Sequence, residues 1–133
     1  MLKRLARRAV LLSMIFTAFL ATQPAQAASG GGCSGNWPIS SCISVSGGNV
    51  VADFYMNATP DISRYWARME IRTTNVGTKW TGYYRIDRTG RFGPVSFSIT
   101  TMPVSSGSAV NIVHLYTDNY TAHGTEPSPR VYY

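Results

Sequence analysis

The chain has 133 residues, with 12 Lys+Arg against 6 Asp+Glu and a formal charge of +6. Four of those cations, Lys3, Arg4, Arg7 and Arg8, are the only charges in the first 27 residues, and the remaining 106 residues carry a net charge of +2. That balance argues against nucleic-acid binding, which wants a basic face, and the low charge and Ser/Thr/Tyr/Gly-rich composition exclude a coiled coil or an acidic disordered tail.

Residues 1–27 have the three parts of a secretory signal. A basic start, Met1 to Arg8, precedes an apolar run of about a dozen residues, Ala9 to Leu20. Ala25-Gln26-Ala27 then supplies the small residues of a cleavage site. The run is short of the roughly 20 residues a membrane span requires. The expected mature product is a secreted, extracellular protein with no membrane attachment, and its export route, general or twin-arginine, stays open.

Residues 28–41 are a Gly/Ser-rich start, expected to be flexible. They carry Cys33, and an exported chain with two cysteines is expected to join Cys33 to Cys42. The enclosed loop holds Trp37, which is either a core plug or an exposed contact residue.

Residues 42–133 read as one all-β domain. A short strand is expected from Cys42 to Ser46, followed by a Gly47-Gly48-Asn49 turn. Val50 to Met56 alternates, with Val50, Ala52, Phe54 and Met56 on one face. Tyr65 to Thr73 alternates most clearly: Tyr65, Ala67, Met69 and Ile71 face in, and Trp66, Arg68, Glu70 and Arg72 face out. Asn75-Val76-Gly77 reverses the chain. Lys79 to Asp87 follows, with Trp80, Tyr84 and Ile86 expected inward and Tyr83 and Arg85 outward. Gly82 interrupts that inner face, where it would admit a large neighbour. After a turn at Asp87 to Gly90, Val95, Phe97 and Ile99 point inward. Ala109 to Thr117 is apolar on both faces, so it is a fully buried or bulged strand. The tail, 118–133, contains Pro127 and Pro129, which exclude a long central strand, though Val131 to Tyr133 suits a short edge strand. The expected fold is a small antiparallel β-sandwich of six or seven strands, with a β-meander at about 65–101.

Chemistry-bearing residues are few. No HxH, HExxH or DxDxD spacing occurs, and no Gly-rich phosphate loop or Gly-x-Ser-x-Gly elbow. No metal or cofactor is expected. Two Asn-x-Thr triplets, at Asn57 and Asn119, matter only in a glycosylating host.

One polar set, Glu70, Arg72, Arg85 and Arg88, draws on adjacent strands of the meander, with Glu70 and Arg85 expected to point outward as cross-strand neighbours; His114 lies on a later strand. With Glu70 as base, arginines for a phosphate and His114 as acid, it resembles the small secreted guanyl-preferring microbial ribonucleases. That resemblance implies an RNA-cleaving toxin acting through Glu70, Arg85 and His114. The competing reading is a cross-strand ion pair on a solvated face, and it is preferred.

The second set is aromatic. Trp66 and Tyr83 fall on polar strand faces and, together with Tyr55, are expected to form an exposed aromatic platform beside Arg68, Arg72 and Arg85, residue types enriched at binding hot spots. In general form the chain is similar to small exported proteins of filamentous soil bacteria, some of which are adaptor subunits of secreted toxin particles. The expected function is a secreted, non-enzymatic protein-binding module: an adaptor of a larger extracellular assembly, or an inhibitor of an extracellular enzyme. Its expected contact residues are Trp37, Trp66, Arg68, Arg72, Tyr83 and Arg85. The alternative is a polysaccharide or cell-wall binder using Trp66, Tyr83 and Trp37.

Overall fold

A computed structural model describes residues 29–36, 38–58, 65–75, 77–99 and 106–133. They form two antiparallel sheets and no helix. In the first sheet, β5 (Tyr65–Thr73) and β9 (Ser108–Thr117) are the two central strands. The outer side of β5 pairs with β6 (Gly77–Trp80) and β7 (Tyr84–Ile86). The outer side of β9 pairs with β10 (Ala122–Pro127) and β11 (Val131–Tyr132), and β1 (Ser29–Gly30) adds beyond β11. The second sheet runs β2 (Gly32–Cys33), β3 (Ile39–Ser46), β4 (Asn49–Met56) and β8 (Gly90–Ser98).

The alternating patterns decide which side of each strand is dry. Val50, Ala52, Phe54 and Met56 are buried, as are Ala67, Met69 and Ile71 opposite them. Ile39, Ile43, Ile86, Phe92, Ala109, Val113, Val131 and Tyr133 complete a single core between the sheets. The β-sandwich reading and its one disulfide therefore hold.

Two features depart from the expectations. The first is the meander over 65–101, which holds only from β5 to β7. After Ile86 the chain crosses to the other sheet, where β8 pairs with β4. Both sheets face the same core, so the inward pattern of Phe92, Val95 and Phe97 suits either one. Strand pairing, not hydrophobic pattern, chooses between them.

The second departure is a bulge in each strand that flanks the β5–β9 pair. Between Trp80↔Glu70 and Tyr84↔Ala67, three residues oppose two. Between Pro127↔Ile112 and Val131↔Ala109, Ser128, Pro129 and Arg130 oppose Val110 and Asn111. Ser128 holds the second bulge: its N–H donates to the Asn111 carbonyl, and its hydroxyl accepts from the Asn111 N–H. Pro129, with no N–H to contribute, is tolerated at such a site. The tail is thereby packed on β9 as a broken strand, with Val131 and Tyr133 in the core.

The Gly/Ser-rich start is also paired. The chain leaves the first sheet at Gly30 and enters the second at Gly32, with φ of 76°, 79° and 99° at Gly30, Gly31 and Gly32. A Cβ on Gly31 would lie 2.7 Å from the Ile43 carbonyl oxygen, so only glycine makes this crossing.

Cys33 and Cys42 face each other across β2 and β3 and are joined. Closing so short a loop constrains the unfolded chain by about 2.5–3 kcal/mol. The Cys33→Ser, Cys42→Ser double variant is expected to melt roughly 10–20 °C lower by calorimetry. An unchanged melting temperature would refute that account.

Candidate functional site

The outer face of the first sheet gathers most of the polar and aromatic residues singled out above. The register lines them up in rows across β7 or β6, β5, β9 and β10. Arg85, Trp66, Tyr116 and Ala122 form one row. Arg68, His114 and Thr125 form the next, and Trp80, Glu70, Ile112 and Pro127 the third. Arg72 lies beside Thr78 and Val110.

Trp80 is on this face because of the bulge. In an unbroken strand it would share the inward side with Tyr84, as expected from alternation. The extra residue among Thr81, Gly82 and Tyr83 reverses the phase, so Trp80 and Tyr83 both face out, at 42% and 44% exposure. Thr81 replaces the interrupted ladder. Its N–H donates to the Met69 carbonyl, and its hydroxyl accepts from the Met69 N–H at 3.0 Å. Gly82 admits no large neighbour: a Cβ there would meet nothing within 4 Å. A glycine inside a strand often marks a bulge, and Gly82 was the sequence's signal of this one.

At one end of the face, Glu70 is buried, its side chain 6% exposed. Arg72 donates to it twice, from Nε at 2.6 Å and Nη2 at 3.0 Å, and His114 Nε2 lies 2.7 Å from Oε2. Trp80 covers His114, with ring centres 5.0 Å apart.

In the middle, the Arg68 guanidinium sits 4.5 Å from the Trp80 ring centre and 5.3 Å from that of Tyr83. Its Nε donates to the Thr81 carbonyl at 2.8 Å. Tyr83 meets Tyr116 and Tyr120 edge-on, at 5.4 and 5.1 Å. Tyr120, in the left-handed region at φ 56°, stacks on Trp66 at 5.7 Å, and Arg85 lies 6.0 Å from Trp66. The result is one connected array from Arg72 to Arg85. Of the expected contact residues, Trp66, Arg68, Arg72, Tyr83 and Arg85 all belong to it, and Trp37 lies outside the described residues; Tyr55 does not join the platform, because β4 pairs into the second sheet. Trp80, Tyr116 and Tyr120 join it unannounced. A bulge placed Trp80, the pairing of β9 with β5 placed Tyr116, and the turn after β9 placed Tyr120, and none of these follows from alternation along one strand.

The ribonuclease-like set is only partly assembled. Glu70, Arg72 and His114 meet. Arg85 does not, because the strand register sets Trp80 opposite Glu70 and Arg85 opposite Trp66, four residues along β5. Arg88, in the link from β7 to β8, lies over Phe92 of the second sheet at 4.4 Å. Both Glu70 oxygens already accept hydrogen bonds, so the carboxylate is built as an anchor for its neighbours. Among the described residues, no group of three or more His, Cys, Asp or Glu side chains could hold a metal ion.

Burial raises the Glu70 pKa, but hydrogen bonds and charge from Arg72 and His114 outweigh it and hold the carboxyl below its ordinary 4.5. A depressed native pKa means the unfolded chain binds the proton first. The contribution of Glu70 is thus complete above about pH 4.5 and is lost as pH falls through the native value. Melting temperature is expected to drop on acidification in that window. In Glu70→Gln the drop should be shallower, and parallel acid limbs would disprove the assignment.

These features define an all-β, disulfide-closed domain with a preassembled arginine–aromatic face. Comparison with protein-family models, curated proteins and solved structures finds no match for the chain.

Proposed function

We propose that this is a secreted, non-enzymatic protein-binding domain whose contact surface is the outer face of the first sheet. Its partner is another extracellular protein, either a fellow subunit of a larger assembly or an enzyme that it inhibits. The observation that carries the reading is Arg68, held between Trp80 and Tyr83 while both rings keep about two-fifths of their surface exposed. Large side chains already ordered before contact lose little entropy on binding. Arg, Trp and Tyr are the types that dominate binding energy at protein interfaces. Export is supported by the leader pattern and by the disulfide. No helix among the described residues is long and apolar enough to cross a membrane.

Polysaccharide binding is the weaker reading. Sugars stack on open ring faces, and here Arg68 occupies Trp80 and Tyr120 occupies Trp66.

The test is affinity capture from culture fluid with the disulfide-intact protein, followed by titration of whatever binds stoichiometrically. Arg68→Ala and Tyr83→Ala should each weaken binding by about 30-fold, equivalent to about 2 kcal/mol. Tyr55→Ala, on the opposite sheet, should leave it unchanged. Equal affinity in all three would remove the site from this face, and retention on insoluble glycans instead would favour the polysaccharide reading.

A further inference from the structure

The array is unbalanced in charge. Its own carboxylate, Glu70, is buried and fully engaged by Arg72 and His114. Among the described residues, Arg68, Arg85 and, at the margin, Lys79 have no carboxylate within ion-pair distance.

Beside Lys79 lies an apolar cleft of about 220 Å³. Among the described residues it opens between β6 and β8, each at the edge of its sheet. Ile71, Tyr84, Val95 and Phe97 form its apolar lining, and Lys79 and Trp80 also border it. The Lys79 ammonium lies 5.2 Å from the Phe97 ring centre, so its stem reaches from one sheet to the other. Trp80 borders the cleft and also packs on Arg68 and His114, which makes cleft and array one surface.

We infer that this surface takes an acidic polypeptide segment with one large apolar side chain. The inference rests on the protein-binding reading and specifies the partner's chemistry. The apolar side chain fills the cleft, where burying it removes hydrocarbon from water. Carboxylates on either side meet Lys79 and Arg68, with Arg85 extending the positive field along the face. Complementary charge of this kind speeds encounter and fixes register. A polysaccharide or a nucleic acid meets the cations equally well but has no hydrocarbon side chain for the cleft. That difference selects a polypeptide.

The experiment pans a displayed library of random peptides on the disulfide-intact protein and measures the enriched peptides by titration at low and high salt. Enrichment of Asp and Glu around a leucine- or phenylalanine-like residue is expected, with binding that weakens as salt rises. Lys79→Ser and Arg68→Ser should each cost at least tenfold in affinity. Val95→Trp, which fills the cleft, should abolish binding, and thermal melts of each variant separate lost contact from lost fold. Peptides that need Tyr83 but are neutral or basic would overturn the charge assignment and leave the protein-binding reading standing. Peptides indifferent to Tyr83, Arg68 and Val95, or binding of heparin or single-stranded RNA with no peptide enriched, would overturn both.

Discussion

Phe54→Ala is expected to lower the unfolding free energy by about 3–5 kcal/mol. Phe54 is fully buried on β4. It stacks on Phe92 of β8, ring centres 4.9 Å apart, and meets the edge of Tyr84 from the other sheet at 5.8 Å. Tyr84 and Phe92 also touch, at 6.3 Å, so the three rings close a cluster that spans both sheets. Truncation removes the transfer energy of a phenyl ring and leaves a void walled by side chains of two rigid sheets, which cannot collapse around it. A domain of this size has about 5–15 kcal/mol in all, so the variant should lose a large share of its stability. Urea denaturation measures this directly, as a lower midpoint at unchanged slope. A loss under about 1 kcal/mol would show that the cluster repacks and that the sheets are not rigid here.

Asn111→Asp is expected to cost about as much, for an electrostatic reason. Asn111 is fully buried on β9. Its Nδ2 donates to the carbonyls of Cys42 at 3.2 Å and Asp53 at 3.0 Å, tying the first sheet to β3 and β4 of the second. Ser41 Oγ returns a bond to the Asn111 carbonyl at 3.0 Å. Two facing carbonyls fix which way the amide points, since only an N–H₂ can satisfy both. An aspartate would place a carboxylate against those same oxygens. Leaving a buried charge without compensation costs about 3–5 kcal/mol.

The pH dependence separates this mechanism from simple misfit. The substituted carboxyl would have a raised pKa in the native state, so the folded protein would hold its proton more tightly than the unfolded chain. The deficit should therefore be largest at neutral pH and shrink on acidification, the opposite trend to that of Glu70 in the parent. Thermal melts at pH 7 and pH 5 should show the gap narrowing. A gap independent of pH would mean that lost shape, not charge, is responsible.

The dry faces of the strands were legible in the amino-acid order. Val50 to Met56 and Tyr65 to Thr73 alternate without interruption, and a period of two leaves only the choice of which side is buried. The turn residues Gly47 and Gly48 and the pairing of Cys33 with Cys42 were legible too, each through local chemistry. The outward set on β5, Trp66, Arg68, Glu70 and Arg72, followed from the same periodicity.

What only the tertiary structure decided depends on partners distant in sequence. Alternation along Lys79 to Asp87 assigned Trp80 to the core, and one extra residue at Thr81 to Tyr83 turned it out onto the array. Glu70 found His114, 44 residues away, because β9 pairs with β5 in one register. It did not find Arg85, because the same register set Trp80 in that place. β8 was assigned to the meander and pairs with β4 instead, for a similar reason: its apolar side satisfies either sheet, and only backbone pairing distinguishes them. A strand's own sequence thus determined which of its residues avoid water, because burial is a property of each side chain. Which side chains meet across the face was set by register, bulges and sheet membership, because hydrogen-bond pairing is a property of two strands at once.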